Sequence, residues 1–186
     1  LTQLRAILRA SVYGKAAVLF PVVTSEEEVI KAKALLQQAR ASLEAEGVPV
    51  ADKIEIGIMI ETPAAVILSD RLASMVDFFS IGTNDLTQYI LATDRMNDSI
   101  ASLYNPRHPA VLRMIDMTVA NAKKHGIWTS ICGESAADAE LLRFYLAMGV
   151  EELSVAPSSV LELRRIVRQT TLGKYKDRII QKYCNG

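Results

Sequence analysis

Three polar clusters in this 186-residue chain each follow directly on an apolar run of strand-forming residues. Glu61 comes after Ile58-Met59-Ile60, Asn84 and Asp85 come after Phe78-Phe79-Ser80-Ile81 and Gly82-Thr83, and Cys132 comes after Trp128-Thr129-Ser130-Ile131. Parallel α/β folds place their active sites at the C-terminal ends of strands, so convergence of the three clusters on one mouth is the economical reading. Glu61 and Asp85 are hard oxygen donors. Two such carboxylates on adjacent strands suit a magnesium ion completed by water and by a ligand's oxygens. Arg95 follows Asp94 in a loop, where a guanidinium can bind phosphate or carboxylate through two parallel hydrogen bonds. Cys132 precedes Gly133-Glu134-Ser135, which lets its thiol face the same mouth while the glycine permits close approach.

Each of these residues also has a structural alternative when taken singly. Glu61 can cap a helix begun by Thr62-Pro63, and Asp85 can cap a turn starting at Leu86. Asn84 can be a turn residue, Arg95 can pair with Asp94 on the surface, and Cys132 can be a buried small hydrophobe. The composite Gly82-Thr83-Asn84-Asp85-Leu86-Thr87-Gln88 is much harder to reduce to turn chemistry. Cys184, in a charged C-terminal stretch from Lys174 to Gly186, reads as structurally incidental. His108 and His125 read as helix-end residues, and Met59, Met114, Met117 and Met148 as core.

The elements that must position these groups are legible from periodicity. Leu1, Leu4, Ile7, Leu8 and Val12 recur at helical spacing. The run from Ala16 to Val23 reads as a strand buried on both faces, and a long helix follows from Ser25, which stands three residues before Glu28 in a capping-box spacing. Strand, helix, strand, helix then repeat: Ile54 to Ile60, Pro63 to about Met75, Asp77 to Ile81, and helical turns after Asp85. Beyond them lie a helix from Pro109 to His125, a strand from Ile127 to Cys132, a helix from Asp138 to Met148, a strand from Glu152 to Val155, and a helix from Ser158 to Gln169. Five strands each followed by a helix require an all-parallel sheet, either doubly wound or part of an eight-stranded barrel. No glycine-rich phosphate fingerprint follows any strand.

Composition narrows the function classes. Half of the residues are apolar, which provides for one sizeable core, and 21 basic residues balance 21 acidic ones. That balance points to neither a nucleic-acid nor a membrane surface as partner, so any bound anion must be held locally. No apolar run approaches the roughly 20 residues of a membrane span, and no signal-peptide pattern opens the chain, so the expected location is cytoplasmic. Two cysteines supply no disulfide framework. The chain starts at Leu1 inside a helical pattern, which reads as a cut.

The motifs Ile60-Glu61-Thr62-Pro63-Ala64-Ala65, Asp77-Phe78-Phe79-Ser80-Ile81-Gly82-Thr83-Asn84-Asp85-Leu86-Thr87-Gln88-Tyr89 and Cys132-Gly133-Glu134 resemble the phosphoenolpyruvate-utilising enzymes. The spelling Ser135-Ala136-Ala137-Asp138 and the opening Gln3 to Ser11 are closer to the phosphoenolpyruvate-protein phosphotransferases, Enzyme I of bacterial sugar uptake, than to pyruvate phosphate dikinase or phosphoenolpyruvate synthase. The likeness covers nearly the whole chain, and long composite motifs in the right order are specific.

The resemblance implies an α/β fold, a partial (β/α)8 TIM barrel holding strands four to eight. It also implies that the first three barrel strands and the N-terminal domains, which carry a phosphoacceptor histidine and bind the carrier protein HPr, are absent from residues 1–186. Carried over by position, Glu61 and Asp85 bind Mg2+, Asn84, Asp85 and Arg95 bind phosphoenolpyruvate, and Cys132 is the general acid. Homodimerisation and inability of the chain alone to complete the reaction are further expectations, and exposed strand edges are expected to promote self-association. A non-catalytic half-barrel module is the remaining alternative.

Overall fold

The five apolar runs form five parallel strands, and the segments between them are helical. The structure is a computed structural model describing residues 1–173 and 176–185. In chain order the elements are α1 (Thr2–Ala10), β1 (Ala17–Phe20), α2 (Glu26–Ala45), β2 (Glu55–Ile60), α3 (Pro63–Ile67), α4 (Ser69–Ala73) and β3 (Phe78–Gly82). There follow α5 (Thr83–Leu91), α6 (Pro109–Lys124), β4 (Trp128–Cys132), α7 (Ala139–Met148), β5 (Glu152–Leu153), α8 (Pro157–Gln169) and α9 (Lys176–Asn185).

Strand order decides between the two parallel architectures. The strands pair in sequence order, β1-β2-β3-β4-β5, every pair parallel. A doubly wound sheet reverses its order at a switch point, whereas a barrel wall never does. The faces agree. Ile58, Ile60, Phe79, Ile81 and Ile131 alternate onto one face, where they are fully buried against Val66, Leu72, Val111, Leu112, Ile115, Leu141 and Phe144 of the helices. Val18 of β1 packs on that same side with Leu4 and Leu8 of α1 and with Leu36, Ala39 and Leu43 of α2. The fold is thus a section of a (β/α)8 barrel, with helices outside.

The other face is the barrel interior, and register places its residues in rows. Phe78 lies opposite Trp128, and their rings stack with centroids 4.3 Å apart. The next row is Met59, Ser80 and Ser130, and the row at the mouth carries Gly82 and Cys132. Glu61 continues the same alternation one residue past β2.

Local signals account for most element boundaries. Ser25 and Glu28 form a complete capping box on α2. Pro63 and Pro109 stand at the first turn of α3 and α6, where a missing N–H costs nothing. Asp138 caps α7 by accepting from Glu140 N and Leu141 N.

Four expectations are corrected. Strand β1 stops at Phe20 rather than Val23, because Pro21 has no N–H for the ladder, and it is buried on one face only, Val18 being core while Ala17 and Leu19 are exposed. The helix expected from Pro63 to Met75 breaks at Leu68 (φ −90°, ψ 6°), next to fully buried Ser69, whose hydroxyl accepts from Asn121 of α6. Met117 is 43 % exposed, while Met148 is core. Cys184 is not incidental: α9 packs on α6 and α7, Cys184 is buried in the main core, and its carbonyl accepts from Arg113 Nε. Lys174, Tyr175 and Gly186, in the same charged stretch, lie outside the described residues.

Candidate functional site

Glu61 is free of the capping role. Thr62 is the N-cap of α3, its hydroxyl accepting from Ala65 N at 3.1 Å, so the carboxylate one residue earlier turns to the mouth. Glu61 is only 5 % exposed, and its Oε1 accepts a hydrogen bond from Val22 N at 2.7 Å. Across the row, Gly82 provides the room: a Cβ there would lie 2.9 Å from both Cβ and Oε2 of Glu61.

Helix α5 begins at Thr83, three residues before the turn expected from Leu86. Asn84 and Asp85 therefore stand in its first turn, at the positive end of the helix dipole. Asp85 Oδ1 accepts from Gln88 Nε2 at 3.1 Å, within the helix. Asn84 Oδ1 reaches the next strand's exit loop and accepts from Glu134 N at 3.0 Å. Burial above all, together with the nearby Asp85 carboxylate, pushes the Glu61 carboxyl above its ordinary range, against the lowering effect of the Val22 N–H. Two acids held this close, one of them out of water, form a site that gains by acquiring a cation.

Cys132 completes the row. Its Sγ lies 3.4 Å from Ser80 Oγ, which donates to it, and 3.4 Å from the Ile81 carbonyl, to which it donates. Burial raises its pKa foremost, and the charges of Glu61 and Asp85 raise it further against the Ser80 hydrogen bond. The group therefore holds its proton at neutral pH, as a general acid must.

The backbone of Cys132 is fixed by a buried hydroxyl chain. Thr83 Oγ1 donates to the Cys132 carbonyl at 2.9 Å, Ser135 Oγ donates to Thr83 Oγ1 at 2.7 Å, and Ser135 Oγ lies 2.8 Å from Tyr145 OH. Gly133 lets the loop double back on α5: its φ is +97°, and a Cβ would stand 2.6 Å from Thr83 Oγ1.

Arg95 arrives by a different route from the one its sequence neighbour suggested. Asp94 is occupied with Met96 N, while the Arg95 guanidinium lies 3.4 Å from Glu134 Oε1 and its backbone N–H donates to Gln88 Oε1 at 2.9 Å. Arg95 and Asn84 thus both contact Glu134, in the loop after β4. Tyr104, which sequence reasoning missed, joins them, with its OH 3.5 Å from Asn84 Oδ1. Burial raises its pKa first, and it lies in the fields of Arg95, Glu134 and Asp85. Ser80 was within reach of period-two alternation, which puts it on the face of Cys132; nothing in the aperiodic segment around Tyr104 marks it.

All five expected residues thus meet at one mouth. Among the described residues no three His, Cys, Asp or Glu side chains cluster into a metal shell, so Glu61 and Asp85 would leave most positions to water and substrate. The two histidines lie apart from them: His108 caps α6 through Nδ1, and His125 ends that helix.

Residues 1–172 match the family described as PEP-utilising enzyme, PEP-binding domain. The chain belongs to the PEP-utilising enzymes. Proteins named phosphoenolpyruvate-protein phosphotransferase resemble this family member closely. That of Priestia megaterium is 46 % identical over 168 residues, covering 90 % of this chain and 29 % of its own length. The corresponding figures are 47 % over 176 residues, 95 % and 31 %, for the protein of Lactococcus lactis subsp. lactis. The chain therefore spans about three tenths of the length of these relatives. Among solved structures, a citrate lyase from Burkholderia xenovorans matches with TM-score 0.66 at 19 % identity, over 89 % of this chain and 52 % of the other. A HpcH/HpaI aldolase/citrate lyase family protein from Burkholderia cenocepacia gives TM-score 0.58 at 17 % identity, over 89 % and 68 %. These likenesses concern the barrel fold alone. Among the described residues no helix is long and apolar enough to cross a membrane.

Proposed function

We propose that this chain is the phosphoenolpyruvate site of a phosphoenolpyruvate-protein phosphotransferase, acting in the cytoplasm in sugar uptake. The observation that carries the reading is the meeting of Glu61, Asp85 and Cys132 at one barrel mouth, in a chain whose relatives bear that name.

In this reading Glu61 and Asp85 hold a magnesium ion. When bound, it supplies positive charge to the phosphate and enolate oxygens of the substrate. Asn84 and Arg95 orient phosphoenolpyruvate, Asn84 through its amide and Arg95 through a fork suited to carboxylate or phosphate. The phosphorus–oxygen bond breaks as a histidine nitrogen from outside this site takes the phosphoryl group, and the electron pair remains on the enolate. Cys132 then gives its thiol proton to the enolate methylene carbon, yielding pyruvate, and the thiolate regains a proton from solvent. The phosphohistidine passes its phosphate to HPr, and the parent acts as a homodimer. In this reading the acceptor histidine belongs to another part of the enzyme, so this chain by itself does not complete the transfer.

The test is calorimetric titration of phosphoenolpyruvate into the chain with and without Mg2+, using Glu61→Gln with Asp85→Asn as control. Mg2+-dependent binding that disappears in the double variant supports the site. Binding indifferent to both substitutions would overturn it.

A further inference from the structure

Val22 is the residue most at odds with its own side-chain type. Its φ is +54°, the left-handed region, which a β-branched residue occupies only when its surroundings impose it. Burial of its side chain does not impose it, because Val22 is 60 % exposed, whereas the next residue, Val23, is core. The constraint comes from the exit of β2. Val22 N–H donates to Glu61 Oε1 at 2.7 Å, and the Thr62 hydroxyl donates to the carbonyl of Val23 at 2.9 Å. Pro21 fixes the preceding φ, so the turn has little freedom to relax.

The consequence falls on Glu61. One of its oxygens is engaged by the Val22 N–H, while Oε2 lies toward Gly82, 2.9 Å from where a Cβ would stand. We propose that Val22 is a positioning residue for the cation site: its strained turn holds one oxygen of Glu61 and thereby presents the other to a divalent ion. Strain stored beside a functional group and over-determined by hydrogen bonds is the pattern expected of such a role. A tether on the non-ligating oxygen is how outer-shell partners orient a carboxylate. The inference rests on the reading of Glu61 and Asp85 as cation ligands, and it adds the β1 exit loop to a site otherwise built from β2, β3 and β4.

The test uses Mn2+ as probe, its binding followed by electron paramagnetic resonance, alongside melting temperatures without metal. Val22→Asn accepts the left-handed conformation readily and keeps the N–H in place; Val22→Gly removes the strain but frees the turn. Val22→Asn should raise the melting temperature and leave affinity within about twofold, while Val22→Gly should lose about tenfold in affinity without a fall in melting temperature. A merely structural residue would move stability and affinity together. Affinity equal in wild type and Val22→Gly, or lost equally in both variants, would overturn the inference, provided that binding still depends on Glu61 as judged by Glu61→Gln. Absence of Glu61-dependent Mn2+ binding in the wild-type chain would instead overturn the cation site itself, and the inference with it.

Discussion

Gly82 and Glu61 fit each other so closely that a Cβ on the glycine would stand 2.9 Å from both Cβ and Oε2 of the acid. The third neighbour, Met59 Sδ at 3.1 Å, can swing away, but Glu61 Cβ is fixed by its own backbone. Gly82→Ala must therefore move the carboxylate or separate β2 from β3. Overpacking of this kind costs about 1–3 kcal/mol. Urea unfolding should show that loss, and calorimetry should show Mg2+ binding abolished; a variant binding Mg2+ as the wild type does would mean that Glu61 Oε2 is not a ligand.

The pH dependence of stability follows from the Glu61 carboxyl, which burial and Asp85 hold above its ordinary value. The sign is opposite to that of a salt-bridged acid. The folded state binds this proton more tightly than the unfolded chain does, so the contribution is fully present below the ordinary value of about 4.3 and is lost as pH rises through the raised one. Wild type should therefore lose stability relative to Glu61→Gln across that window, and Mg2+ should restore it at neutral pH. Denaturant midpoints for both proteins from pH 4 to 8, with and without Mg2+, would show it; parallel curves would remove Glu61 as the source.

Much of this was readable in advance, for physical reasons that also explain the gaps. Runs of apolar, strand-forming residues mark all five strands, although only β3 is buried at every position, and a polar residue immediately after such a run must leave the sheet at its C-terminal end. That is why Glu61, Asp85 and Cys132 could be placed together before any geometry was known. Tyr104 escaped because the segment between α5 and α6 has no period, and its contact with Asn84 depends on how that loop folds back. The structural alternative for Arg95, a pair with Asp94, does not form: adjacent side chains point apart, and its partner, Glu134, is 39 positions away. Val22 acts through its backbone N–H, which every non-proline residue possesses, so no residue type could have singled it out. The packing of helix α9 is not legible in its mostly polar sequence, and the burial of Cys184 exists only where α6 and α7 meet it.

Thr83 joins two exits, since its hydroxyl donates to the Cys132 carbonyl and accepts from Ser135. Thr83→Val keeps the shape, but it takes the donor from the Cys132 carbonyl and leaves Ser135 Oγ with Tyr145 OH alone, and the buried carbonyl without that donor costs about 1–3 kcal/mol. Thr83→Ser keeps the hydroxyl and should cost little. The chemistry should follow the hydroxyl as well. With its carbonyl untied, the strand end carrying Cys132 loosens, and the thiol, half-buried in the wild type, meets reagent more often. Alkylation of Cys132 by iodoacetamide, resolved from Cys184 by peptide mass spectrometry, should accelerate in Thr83→Val and stay at the wild-type rate in Thr83→Ser. Equal rates in all three proteins would show that the loop after β4 holds the cysteine without help from α5.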